Sequence, residues 1–492
     1  MAEQISFGRR ITMLAEKHPE RVAIVYATAD GGEHEVTWRE LEARSNQTAR
    51  LLASRGLGQG SLLAVALTNS PEHFYSVIGA WKLGATVLPM RWDLPAWERD
   101  RLLGLARAHA VVAEWKDKPP SEMITLADVR GSASLGDGVL PDRIPNPANG
   151  IASSGSTGSP KLILAPGPGV VSELAMAGLK QSMRLPDNIT QLIISPLYHT
   201  NGFLAHPGLH DGHKLVLMER FVPERAVDLI ERHKVNYSVM VPIMLQRIAR
   251  VEGVRQRDFS SIAAILYGAA PLPGWVARAW FDLIGPEKFY IAYGGTERIG
   301  STIATGVEWL AHEGTVGKAV GCTLKILDPD GRELPPGEVG DIFMKSTISA
   351  KPFEYLGAAP PKTTPDGYAT FGDMGWVDKD GYLYIADRRV DMIISGGANV
   401  YPAEVETALS EHPKVADAVV IGLPDEEWGR RVHAIIEPAE GAVPGEAELK
   451  EYCRARLAAY KVPKSFEFVA KMPRSAAGKV NRGTLTAERA PK

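Results

Sequence analysis

The chain has 492 residues, of which 45% are hydrophobic and 23% charged, a balance that excludes disordered and fibrous classes and predicts more than one globular domain. Fifty-five Lys and Arg against 58 Asp and Glu leave a net charge of -3, which supplies no general attraction to nucleic acid or to an anionic membrane. Cys322 and Cys453 are far apart and form no metal-binding spacing, so reduced core thiols are expected.

No apolar run approaches the roughly 20 residues of a membrane span. The N-terminal MAEQISFGRR lacks the apolar stretch of a signal peptide. A cytoplasmic location is the expectation.

In chain order, helix-like patterns at 5–16, 38–55 and 72–83 alternate with strand-like runs at 22–26, 62–67 and 85–88. The same rhythm continues through apolar runs at 192–195, 215–217, 238–241, 264–266 and 289–292. This alternation predicts an α/β fold with buried, largely parallel strands. After Gly314 the strands shorten, and DPDG and DKDG mark turns between antiparallel strands. The last hundred residues read as a separate α+β unit, with strands at 392–394 and 415–421 and helices at 402–410 and 446–457. The boundary is placed near 386–391.

Four segments carry candidate chemistry. The first, Ser153-Ser154-Gly155-Ser156-Thr157-Gly158-Ser159-Pro160-Lys161, gathers hydroxyls, glycines and one lysine, as a loop that cradles phosphates requires. Its composition is equally that of a flexible linker. It is not a Walker loop, because no Gly-Lys-Ser/Thr follows. The second, Tyr293-Gly294-Gly295-Thr296-Glu297, follows an apolar strand, where α/β sheets build sites. Thr296 suits a phosphate and Glu297 a magnesium ion; a plain strand-to-loop turn fits as well. In the third, Asp373 of Phe371-Gly372-Asp373 suits ribose hydroxyls and Arg388 a phosphate; a turn with a surface ion pair is the competing reading. In the fourth, Lys479 ends Arg474-Ser475-Ala476-Ala477-Gly478. On its own such a lysine is usually a solubilising charge.

In this order and at these separations the four segments resemble the superfamily of acyl-CoA synthetases, peptide-synthetase adenylation domains and firefly luciferase. The resemblance runs from Thr37-Trp38-Arg39-Glu40-Leu41 to Lys479 and includes PLYHTNG at 196–202, GAAPLP at 268–273 and SGGANVYPAEVE at 395–406. It implies a large N-terminal domain of mixed sheets with flanking helices at 1–387, and a small mobile α+β C-terminal domain at 388–492.

It also implies site roles. The 153–161 loop would hold the ATP phosphates, Gly268, Ala269 and Ala270 would line the adenine pocket, and Tyr293 would stack near the base. Thr296 would contact the α-phosphate, Glu297 Mg²⁺, Asp373 the ribose hydroxyls, and Arg388 ribose or phosphate. Lys479 would bridge the substrate carboxylate and the α-phosphate. Rotation of the C-terminal domain would then bring Gly396-Gly397 in to line a pantetheine tunnel, with Trp428 close by; domain-core packing is the competing account of Trp428. The usual hinge residue, Asp or Lys, is replaced by Val390.

His199, Thr200, Phe203, Met240, Gly294, Ile299 and Gly300 are candidates for the acid pocket by position, with a structural His199 as an equal alternative. Several of them are small or apolar, which suits an aromatic, alicyclic or fatty acid. The segment 293–316 resembles a branch holding bacterial fatty-acid and bile-acid CoA ligases as well as stand-alone amide bond synthetases. The reaction implied is adenylation with ATP and Mg²⁺, then transfer to coenzyme A, or alternatively to an amine. A non-catalytic acyl-adenylate binder is the second alternative; it predicts decay at the phosphate loop, Glu297 or Lys479, and all three are intact. Nothing after Lys479 could form a peptide-synthetase carrier domain, and luciferase-like oxidation is expected only as a side activity. A homodimer is the assembly allowed for.

Overall fold

Apolar runs of four to six residues become strands wherever flanking helices cover both faces, and helices form where the apolar period lengthens to 3.6. The computed structural model describes residues 4–154, 160–165, 167–348, 354–357, 359–475 and 478–490. The chain divides into two compact units. One comprises 1–240, 250–266 and 349–360; the other comprises 241–249, 267–348 and 361–492.

The first unit is built on two largely parallel sheets. One runs in the order Ala264–Tyr267, Tyr237–Met240, Thr190–Ile193, Lys214–Met218, Val22–Ala27 and Glu33–Thr37. Val22–Ala27 pairs parallel with Lys214–Met218 but antiparallel with Glu33–Thr37. The latter strand is not signalled in the sequence, because EHEVT holds only one buried apolar residue, Val36. The other sheet joins Thr86–Pro89, Leu62–Ala66, Ala110–Ala113 and Glu122–Ile124, all parallel. Helix Pro71–Lys82 packs on it and helix Trp38–Ser54 packs on that helix, with Trp38, Leu41, Phe74, Ile78 and Trp81 essentially inaccessible. Thr37 caps helix Trp38–Ser54 by accepting the Glu40 N–H at 3.1 Å. A small antiparallel sheet of Gly150–Ser154, Pro160–Leu164 and Glu354–Leu356 completes the unit.

The second unit is mainly antiparallel. Phe289–Gly294, Ser301–Thr305 and Lys318–Val320 form one ladder. Cys322–Leu327, Gly340–Ser346, Asp373–Val377 and Leu383–Arg388 form another, and the DKDG sequence turns between its last two strands as expected. The hairpin of Ile393–Ser395 and Ala398–Val400 precedes helix Pro402–Ser410 and the long strands Val415–Asp425 and Gly429–Pro438. Val405, Leu409, Val420, Ala434, Ile436 and Leu449 make the core of this part. Both cysteines are free thiols. Among the described residues no helix is long and apolar enough to cross a membrane.

Candidate active site

Strand Phe289–Gly294 is buried through Ile291 and opens towards its carboxyl end. Gly294 lies opposite Ser301 on the returning strand, so 295–300 form the connecting loop. Gly295 is required there, since a Cβ would lie 2.5 Å from the Phe371 ring and 2.6 Å from a Glu297 carboxylate oxygen. Close approach of this kind sets the Gly295 backbone against the Phe371 ring, next to Asp373 in the chain.

Asp373 is buried, 8% exposed, and opposes Arg388 directly in the antiparallel pair. The Tyr293 hydroxyl donates to Asp373 Oδ2 at 2.8 Å, and Arg388 Nε lies 3.3 Å from Oδ1. Burial first, then the Asp373 charge and hydrogen bond, hold the Tyr293 phenol well above its ordinary range, so it stays a donor. The 268–270 segment closes on the same strand. A Cβ at Gly268 would meet the Ala292 carbonyl oxygen at 2.9 Å, and Ala269 adopts φ +80, a left-handed conformation that non-glycine residues rarely accept.

Lys479 joins this group electrostatically. Its pKa is lowered, by desolvation first and then by the Arg388 cation, with Glu297 acting in the opposite direction. The side chain still opens to solvent on one side. The Tyr293–Asp373–Arg388 group is joined by hydrogen bond and ion pair, and the charges of Arg388 and Glu297 both act on Lys479.

Gly396 and Gly397 are the central residues of the tight hairpin turn, at φ +57 and +81, the signs a two-residue turn of this hand demands. A Cβ on Gly396 would lie 2.6 Å from the Trp428 ring, whereas one on Gly397 would meet nothing within 4 Å. The Trp428 carbonyl accepts the Gly396 N–H at 2.9 Å, and the Lys464 ammonium stands 4.4 Å from the Trp428 ring centre. Trp428 therefore packs on the turn, and the open side of the turn is at Gly397.

The pocket candidates fall into two groups. In the second unit Ile299 is buried, and Gly294 and Gly300 are small because their neighbours are close. Their Cβ atoms would approach the Gly300 carbonyl at 3.2 Å and Cys322 Sγ at 2.9 Å, respectively. In the first unit His199 precedes the short helix Thr200–Phe203, its carbonyl accepting the Phe203 N–H at 2.8 Å and its ring 4.6 Å from that of Tyr198. Phe203 turns into the core against Trp81 and His206, and Met240 is fully buried at the end of its strand.

The phosphate-loop candidate is narrower than its composition implied. Ser153 and Ser154 pair with Lys161 and Pro160 as antiparallel strands, and the Lys161 ammonium lies 4.1 Å from the Tyr355 ring centre. Gly155, Ser156, Thr157 and Gly158 lie outside the described residues.

This geometry has counterparts. The AMP-binding enzyme model matches residues 12–352, and the AMP-binding enzyme C-terminal domain matches 404–479. The chain belongs to the AMP-binding enzyme family. Fatty acid–[acyl-carrier-protein] ligase ScoC of Streptomyces coeruleorubidus is 32% identical over 95% of this chain and 96% of its own. The 2-succinylbenzoate–CoA ligase of Bacillus licheniformis is 31% identical over 96% and 98%. The o-succinylbenzoate CoA synthetase MenE from Bacillus subtilis, solved with its acyl-adenylate intermediate, superposes with TM-score 0.82 at 28% identity, covering 99% of this chain and 98% of that one. The same enzyme has been solved with ATP and a magnesium ion (TM-score 0.81, 28% identity, 97% and 98% coverage). An AMP-forming acid ligase using ATP and Mg²⁺ is the enzyme class this membership gives. The residues present fit those groups: a buried carboxylate for a vicinal diol, an acidic side chain for a cation, and two cations for phosphate.

Arg474 and Asp417, which fix the loop carrying Lys479, are not singled out by the sequence. An aspartate alone in the apolar run VADAVVIG was the available signal.

Proposed function

We propose that this AMP-binding family enzyme adenylates an aromatic, alicyclic or fatty acid and then transfers the acyl group to the thiol of coenzyme A. The observation that carries the reading is the buried Asp373 held between the Tyr293 hydroxyl and Arg388, with the charges of Arg388 and Glu297 both acting on Lys479.

In this reading Asp373 accepts both ribose hydroxyls while Tyr293 orients the carboxylate and flanks the base. Gly268, Ala269 and Ala270 line the adenine site, and Thr296 and Arg388 contact the α-phosphate region. The 153–161 loop, with Lys161, receives the departing phosphates. Glu297 would hold Mg²⁺, which when bound neutralises phosphate charge and orients the leaving group. Lys479 brings its ammonium between the acid carboxylate and the α-phosphorus. Two anions approach there, so a fixed cation lowers the barrier without any covalent enzyme intermediate. His199, Thr200, Phe203, Met240, Gly294, Ile299 and Gly300 stay as the proposed acid pocket, with Phe203 acting from behind its wall.

Residues 388–492 form the moving domain, and the second pose presents Gly397 to a pantetheine arm. The open side of that glycine and the CoA ligases among the relatives support the thiol. The name of ScoC adds a carrier protein as a second source of the same arm. Dependence on ATP and coenzyme A fits the cytoplasm.

The test is mass spectrometry of products from purified protein, ATP, Mg²⁺ and a panel of acids, each offered CoA, a carrier protein or a simple amine. An acyl-CoA thioester is the expected product. Amide formation without thioester would replace the acceptor, and no AMP with any acid would remove the ligase reading.

A further inference from the structure

The loop that presents Lys479 holds its own shape. Ser475 N–H donates to the Lys479 carbonyl and Gly478 N–H to the Ser475 carbonyl, each at 2.8 Å, while Lys479 N–H reaches Ser475 Oγ at 3.2 Å. Arg474 ties this loop to the strand beneath it. Its Nη1 donates to the Gly478 carbonyl at 2.9 Å, and its Nε and Nη2 grip both oxygens of Asp417. Asp417 is buried at an irregularity in the pairing of Val415–Asp425 with Gly429–Pro438, and bulges of this kind re-aim a side chain.

Helix Pro242–Ala249 supports the same loop at two points. Ile243 occupies the space a side chain at Gly478 would need, its Cγ2 standing 2.7 Å from the Cβ position. Gln246 is one turn further along the same helix face. It is buried, 7% exposed, and donates from Nε2 to the Ala416 carbonyl at 2.8 Å. Ala416 is the chain neighbour of Asp417, so the contact passes through Asp417 and Arg474 to Gly478, next to the lysine.

We propose that Gln246 is the latch that docks the Lys479-bearing body for adenylation, a positioning residue made in the first half-reaction and released in the second. The inference rests on the two-pose reading given above. One neutral amide–carbonyl hydrogen bond is strong enough to bias two poses and weak enough to break in each turnover. A buried ion pair at this point would strand an unpaired charge on release.

The experiment separates the half-reactions in Gln246→Leu and Gln246→Glu. Acid-dependent pyrophosphate release should fall about fivefold in Gln246→Leu, the weight of one hydrogen bond. It should fall further in Gln246→Glu, whose carboxylate would face a carbonyl. Transfer from supplied acyl-adenylate to CoA should be unchanged or faster in both, which a misfolded variant would not show. Unchanged pyrophosphate release, or equal loss of both steps, overturns the latch. The underlying reading fails separately: it falls, and the latch with it, if wild-type protein makes no thioester or if Lys479→Ala keeps its pyrophosphate release.

Discussion

Tyr293 and Asp373 lie 80 positions apart, yet the 2.8 Å hydrogen bond between them defines the proposed ribose seat. Removing the phenol hydroxyl in Tyr293→Phe leaves the ring in place and takes one donor from a buried carboxylate. ATP KM should rise about fivefold, as the loss of one such bond implies, and steady-state kinetics would measure it. An unaltered KM would detach Tyr293 from the nucleotide. The residue types at this site were legible because glycine, acid and base recur in fixed order. Their partners were not, because a hydrogen bond across that separation leaves no local pattern. A second residue-scale expectation concerns His73, His206 and His210, buried among Trp81, Phe74 and Phe203. Burial holds His73 and His210 down to about 3, and His206 well below its usual value, with His73 and His210 adding repulsion at His206 and Arg10 adding it at His210. The unfolded chain protonates these rings near pH 6.5 and the folded one does not. Their contribution is therefore complete above pH 6.5 and is lost as pH falls towards 3, at about 1.4 kcal/mol per pH unit for each ring. Denaturant midpoints between pH 4 and 6 should depend less steeply on pH in His206→Phe; an identical slope would contradict the assignment.

At the scale of elements, the Gly396-Gly397 turn is packed by Trp428 at its first glycine and open at its second, within a dipeptide that the resemblance treats as one unit. Gly396→Ala would collide with Trp428, so its principal effect should be on folding, seen as a lowered unfolding temperature. Gly397→Leu has room but sits at φ +81, a strain of about 1–2 kcal/mol. It should slow thioester formation on the order of tenfold, equivalent to about 1.4 kcal/mol, and leave pyrophosphate release near wild type. Equal loss of both steps would remove the pantetheine route. The long apolar strands and the DKDG turn were legible because hydrophobic period and turn chemistry are local. Glu33–Thr37 was not, since an edge strand with a single buried residue carries no period. The 153–161 segment read as one loop because hydroxyl and glycine content does not register the ladder pairing Ser153 with Lys161.

For the whole molecule, the order of motifs carried more than any one of them, and it placed the chain in its family along nearly its full length. Helix Pro242–Ala249 was the part least legible in functional terms. Its sequence PIMLQRIA reads as an ordinary amphipathic helix, and the partners of Ile243 and Gln246 are about 170–235 positions away. Val390, in place of the usual hinge residue, is 60% exposed, and Arg482 reaches Asp391 just beyond it at 3.3 Å. In the proposed two-pose cycle both half-reactions depend on where Lys479 stands, so the account is tested most directly at that residue. The measurement is acid-dependent exchange of labelled pyrophosphate into ATP, on wild type and Lys479→Ala, beside transfer from supplied acyl-adenylate to CoA. Loss of one preorganised cation should lower exchange on the order of 100-fold or more, while transfer from the supplied adenylate survives. Near-normal exchange without the lysine ammonium would contradict the account.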